Sequence, residues 1–239
     1  MGMILWLRAG SDGTRLGGDP LSHHLFMLLL LKGEQNEALK FEVRTVNESK
    51  PPPEFRELGL RKPPAISDEN GETFTHEDDI IDYLEQWIPQ RRVNEADDVT
   101  SDLFRHFAFF IKDVNKDPKG LLGELHRLDE YLGAAEFPYL TGNSLAYLDS
   151  LILTRLHSIR ISAQALKDFS IPDNLKNLWA YMERGYTLPI FQNSCPSDQE
   201  IILYWAERPD TPNISSQKRA ALYRQKSTHT FTCPSNESS

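Results

Sequence analysis

The chain has 239 residues, 39% of them hydrophobic and 26% charged, enough apolar content for one large or two small packed domains. Its formal charge of −9 argues against a nucleic-acid binder and against any general attraction to anionic lipid. Cys195 and Cys233 lack ligand or pairing patterns, which excludes a disulfide framework and a zinc module, and the longest apolar run, Leu25–Leu31, is far short of the roughly 18–20 residues of a membrane span. The expectation is a soluble, acidic, cytoplasmic chain.

Met3–Ala9 is an apolar run of strand length, followed by a loop punctuated by Gly10, Gly13, Gly17 and Gly18. Asp19 and Pro20 read as N-cap and first residue of a helix, because aspartate accepts orphan N–H groups and proline presets the first turn. That helix is predicted to reach Lys32, with Gly33 just beyond its end. Phe41–Val46 alternates as a half-buried strand, and Glu54–Leu58 reads as one or two helical turns. Ala65-Ile66-Ser67 and Glu72-Thr73-Phe74 flank Glu69-Asn70-Gly71, a hairpin signal. Thr75 then caps a helix carrying Ile80, Ile81, Leu84 and Trp87 on one face.

The predicted organisation is an α/β domain over 1–88, a charged linker over 89–99, an all-helical domain over 100–207 and a disordered tail over 208–239. The helical domain rests on five apolar stripes, through Leu103–Ile111, Leu121–Leu132, Leu148–Ile159, Leu175–Met182 and Ile201–Trp205. The tail is rich in Pro, Ser, Thr and charge. His106, His126 and His157 share no motif and read as structural residues, so no metal site is expected. The glycine loop lacks the Gly-x-x-x-x-Gly-Lys-Ser/Thr pattern of a phosphate loop.

Several strings narrow the reading. Leu25-Phe26-Met27 with Leu31-Lys32-Gly33, Arg127-Leu128-Asp129-Glu130-Tyr131-Leu132, Ile171-Pro172 before Trp179, and Cys195-Pro196-Ser197-Asp198 occur in the order seen in the chloride intracellular channel (CLIC) family. Over roughly residues 4–207 the chain resembles an invertebrate-type member of that family. The resemblance implies a glutathione-transferase fold, with a thioredoxin-like first domain and an all-helical second one. It further implies a glutathione-type groove and reversible association with intracellular or plasma membranes, where chloride conductance is reported.

In the family a Cys-Pro dipeptide opens the first helix and carries redox chemistry. The matching pair here is Asp19-Pro20, and a carboxylate forms no mixed disulfide, so no catalytic residue and no glutathione-dependent activity are expected. Pro64, followed by Ala65, matches the cis proline at the edge of the groove. His76-Glu77 stands where transferases hold the γ-glutamyl end of glutathione with an acidic residue and a serine, so the tripeptide is expected to bind poorly and no cofactor is assigned.

Lys32, Glu34, Glu37 and Lys40 fall within the stretch the resemblance assigns to a membrane span. Each would cost about 2.5–3.5 kcal/mol at mid-bilayer, which disfavours a simple spanning helix. An interfacial helix is the alternative, presenting Leu21, His23, His24, Leu25, Phe26, Leu28, Leu29 and Leu31, with the histidines gaining charge at acidic pH if exposed. The competing reading of Leu25–Leu31 is a helix packed under the sheet. Membrane lipid, chloride ion and unidentified protein partners are the expected partners. A non-enzymatic interaction or trafficking module is the alternative function.

Overall fold

A computed structural model describes residues 2–86, 93–211 and 213–234. Strand β1 (Met3–Arg8) is central because both its faces are apolar. Leu5 and Leu7 point to one side, against Leu25, Leu28 and Leu29 of α1 (Pro20–Gln35) and Ile80 and Leu84 of α3 (Glu77–Glu85). Trp6 points to the other, against Phe55 of the short helix α2 (Pro53–Glu57) and Leu60. β2 (Phe41–Val46) pairs parallel to β1, β3 (Ala65–Ser67) antiparallel to it, and β4 (Thr73–Phe74) antiparallel to β3. The resulting order β2-β1-β3-β4, with helices on both faces, is a thioredoxin-like sheet.

The hairpin forms as predicted. Gly71 takes a φ of 83°, and the Asp68 carboxylate accepts from the backbone N–H of Asn70 and Glu72 at 2.9 and 2.8 Å. The Pro63–Pro64 bond is cis. Two boundaries differ from expectation. α1 runs through Gly33 to Gln35, because a glycine there lets the Phe41 ring close on the helix: a Cβ would stand 2.9 Å from it. His76, not Thr75, occupies the N-cap of α3, without a side-chain cap. Trp87 lies outside the described residues.

The helical domain comprises α4 (Asn94–Thr100), α5 (Leu103–Ile111), α6 (Lys119–Ala134), α7 (Tyr147–Lys167), α8 (Lys176–Tyr186), α9 (Pro189–Ser194), α10 (Asp198–Ala206) and α11 (Ser216–Arg224). All five predicted stripes fall on helices. The linker expectation is corrected where it is described: α4 occupies most of 93–99, with Ala96 and Val99 buried in the helical core. Asp149 holds the start of α7, accepting from the N–H of Leu140 and Ala146 and from the Tyr181 hydroxyl, at 2.9, 2.9 and 3.0 Å. This supplies one arm of a capping box in which Ala146 has no side chain for the other.

The expectation of a disordered tail over 208–239 is also corrected where the tail is described. Beyond α11 the chain runs extended over the helical domain. Asp198 N–H bonds the Thr228 carbonyl, the Asp198 carboxylate accepts from Thr230, and the Gln199 amide exchanges hydrogen bonds with Thr228. Arg160 donates to the carbonyls of Thr230 and Thr232, and Phe231 packs among His157, Tyr186 and Phe191. The composition hid this because threonines and backbone groups do the anchoring, with one aromatic plug.

Candidate functional site: an interdomain groove above a buried histidine cluster

The glycine loop is the first interdomain contact. Gly18 lies so close to α10 that a Cβ would meet the Glu200 carbonyl, and Ser11 gives its N–H and hydroxyl to the Glu200 carboxylate. These glycines therefore dock one domain on the other. At the end of the loop Asp19 caps α1, accepting from the N–H of Leu21 and Ser22 at 3.4 and 3.3 Å and from the Ser22 hydroxyl at 2.9 Å. Burial, with the Asp19 charge nearby, pushes the Tyr204 hydroxyl up.

A groove of about 240 Å³ opens beside Asp19. Pro20, Leu21, His24 and Glu77 line it from the first domain, and Phe104, Leu151, Arg155, Tyr204 and Trp205 from the second. Burial pushes the Glu77 carboxyl up, and its acidic neighbours Asp78 and Asp19 add to that, against the pull of Arg155. Burial pulls Arg155 down, while the charge of Glu77 favours its cationic form. The guanidinium lies 4.8 Å from the centre of the Phe104 ring. The groove thus carries two carboxylates at the starts of α1 and α3, answered by one largely buried arginine.

The structure brings together Asp19, Pro20, Leu21, His24 and Glu77 from the residues singled out in the sequence. Pro64, Ala65 and His76 are not among the groove's lining residues. Ala65 is fully buried with Trp6 and Phe55, so its expected place on the groove is corrected. Arg155 and Tyr204 were missed, since they lie on apolar helical stripes and only the docking of the two domains gives them a site. Cys195 is buried just beyond α9, and burial pushes its thiol well above the ordinary range.

Under the groove, α1 packs on α7 and α9. His23 sits at 5.1 Å from the Phe191 ring and 6.3 Å from His157; His24 contacts the Ser150 hydroxyl at 3.2 Å and the Tyr147 ring at 5.2 Å. Exposure, the condition set for these histidines to gain charge, is not met in the folded chain: His23 is 2% and His24 1% exposed. Burial lowers both to about 3, helped for His23 by His24 and His229 and for His24 by Arg155. Burial likewise holds His157 well below its ordinary value. Nε2 of each of the three is buried without a hydrogen-bond partner. Leu25, Leu28, Leu29 and Leu31 are buried, and Leu21 and Phe26 half-buried, so none of these candidate membrane contacts is freely displayed by the folded chain. No described helix is long and apolar enough to cross a membrane.

Residues 2–90 match the CLIC-like N-terminal domain. Over 231 residues, 95% of this chain and 97% of the relative, the sequence is 46% identical to the chloride intracellular channel exl-1 of Caenorhabditis elegans. The chain belongs to the chloride intracellular channel family. The crystal structure of the CLIC homologue EXC-4 from C. elegans superposes with a TM-score of 0.84 at 26% identity, covering 98% of this chain and 89% of that one. Chlamydomonas reinhardtii dehydroascorbate reductase follows with a TM-score of 0.71 at 20% identity, over 86% of this chain and 97% of that one. A trimeric glutathione transferase of Leishmania gives a TM-score of 0.68 at 12% identity, over 92% of this chain and 51% of that one. The last two share the fold alone. This CLIC chain therefore has the glutathione-transferase fold, with a thioredoxin-like first domain and a helical second one.

Proposed function

We propose that this CLIC chain is a conditional membrane protein supporting chloride conductance, held in a cytoplasmic folded form by packing α1 between its two domains, and that it is not a glutathione-dependent enzyme. The observation that carries the reading is the 46% identity over 231 residues with a chloride intracellular channel of C. elegans, which spans both domains. The buried histidines support a conditional step, since they make the seat of α1 sensitive to acid. Chloride and membrane lipid are the partners of this reading, and a protein partner is left open by it.

The groove supports the non-enzymatic half of the reading. At the start of α1 the free N–H groups and dipole would stabilise a thiolate, and here they already serve the Asp19 carboxylate. Glu77, at the start of α3, brings a second negative charge to where a substrate carboxylate would bind. Glutathione fits neither position. Addition of the purified chain to chloride-loaded vesicles of phosphatidylcholine and phosphatidylserine should produce chloride efflux at acidic pH, and no efflux between pH 5 and 7.5 would refute the channel reading. Turnover of a small disulfide with glutathione should stay at background; turnover that survives Cys195→Ser plus Cys233→Ser would refute the non-enzymatic one.

A further inference from the structure

Helices α5 and α6 are joined by residues 112–118 and pack against one another within the helical domain. Asp102 is the N-cap of α5, and His106 follows four residues later, so both lie on one face of that helix. Glu124 meets them from α6. One donor atom from each, two carboxylate oxygens and an imidazole nitrogen, lie within 4.8 Å of one another. His106 Nε2 stands 3.9 Å from Glu124 Oε1. None of the three lines the interdomain groove.

Two features go beyond proximity. A Cβ at Gly120 would lie 2.5 Å from His106 Nδ1, so the glycine lets the ring lie edge-on against α6 with its other nitrogen toward Glu124. Glu124 is 15% exposed at its side chain, and its Oε2 is buried without a hydrogen-bond partner. Such an oxygen costs free energy unless a donor or a cation meets it. The nearby cations are weakly placed. Arg127 Nη1 stands 3.7 Å from that same Oε2, beyond hydrogen-bond distance, and Arg105 Nη2 stands 3.1 Å from Asp102, with side chains 46% and 58% exposed. Exposed pairs of this kind contribute little, and both arginines are free to swing outward.

We propose that Asp102, His106 and Glu124 bind a single Zn²⁺ ion that clamps α5 to α6, with water completing its coordination. One imidazole nitrogen and two carboxylate oxygens suit zinc, whereas magnesium and calcium take oxygen donors alone. The spacing along the chain gave no sign of this set, because its third donor comes from a different helix. The ion would join the two helices and would leave the groove and the α1 interface unchanged.

Calorimetric titration of the full, metal-stripped chain with ZnCl₂ at pH 7.5 tests the proposal. One equivalent should bind, and His106→Ala and Glu124→Gln should each weaken binding by about tenfold or more. Gly120→Ala should weaken it too, by displacing the ring, and circular dichroism should show each variant folded. Cys233→Ser with His229→Ala should leave the affinity unchanged, which separates this site from a thiol–imidazole pair in the C-terminal segment. Saturating zinc should raise the Tm of the wild type by about 5 °C and leave that of His106→Ala within a degree. Absence of binding at 100 μM ZnCl₂ (about the weakest affinity that would hold the clamp), affinity unaltered in folded His106→Ala, or calcium binding in preference to zinc would overturn it.

Discussion

Asp19 and Asp149 both hold the start of a helix, and their surroundings separate their roles. Asp19 is half-buried, receives long hydrogen bonds from α1 and faces the groove. Asp149 is fully buried and accepts three short ones that tie the 140–146 loop and α8 to α7. Burial raises its carboxyl, and the hydrogen bonds pull against that rise. Asp149→Ala would strand a buried N–H and a buried hydroxyl, each costing about 1–3 kcal/mol, and a partly buried N–H besides. Urea denaturation should register a loss of about 3 kcal/mol or more, against about 1 kcal/mol for removal of the exposed-side cap in Asp19→Ala. Equal losses would contradict the distinction. Asp19 was legible from sequence as a helix start. The depth of Asp149 was not, because its partners Leu140 and Tyr181 are brought to it by the tertiary fold.

At the scale of the element, α1 explains its own sequence. Leu25, Leu28 and Leu29 face the sheet, Met27 and Leu31 face the helical domain, and the helix is apolar nearly all round because it is covered on both sides. The short leucine run was readable as apolar, and a membrane surface and a second domain leave the same pattern in a sequence. In the folded chain the two-sided covering accounts for the run. Lys32 is buried and paired with Glu85 at 3.0 Å, and Leu39 packs into the first-domain core. Deleting 34–40 would therefore disturb the fold, and Glu34→Gln with Glu37→Gln is the cleaner way to lighten the charge of that stretch.

The histidines of α1 also set a pH dependence. Their folded-state value of about 3 lies below the ordinary 6.5, so the unfolded chain binds more protons. Stability from this source is full above about pH 6.5 and falls as pH drops toward 3. At pH 5 the loss is about 2 kcal/mol per histidine, from 1.5 pH units at 1.36 kcal/mol each. His23→Phe should flatten the fall in unfolding free energy between pH 7.5 and 5 by about that amount. An unchanged slope would show that His23 is not part of the acid response. The buried groups facing it, His157 and His24, share the same low-dielectric layer, so substitutions among them should not add.

Across the whole molecule, the two domains are tied by the glycine loop, by α1 and, on the far side of α7, by a helical core that the C-terminal segment closes. The two-domain plan was legible because the hydrophobic period changes from strand-like to helical after residue 88. The strap was not legible, since its hold depends on Asp198 and Gln199 meeting Thr228 and Thr230 across some thirty residues of chain (a separation of 32 for Asp198 and Thr230). Asp198→Ala should free it. Trypsin should then cleave after Lys226, whose carbonyl is held by Gln199, several-fold faster than in the wild type, as local opening sets such rates. Equal cleavage rates would mean the segment is not anchored there.

On the proposed reading, acid releases α1 from between the domains and this release precedes conductance. Chloride efflux from anionic vesicles, compared at pH 7.5 and pH 5.0 for the wild type and for His23→Phe plus His24→Phe, tests it most directly. The account predicts efflux that rises at pH 5.0 in the wild type and stays near its pH 7.5 level in the double variant. Efflux that is equal at the two pH values, or that rises just as much without the two histidines, would contradict it.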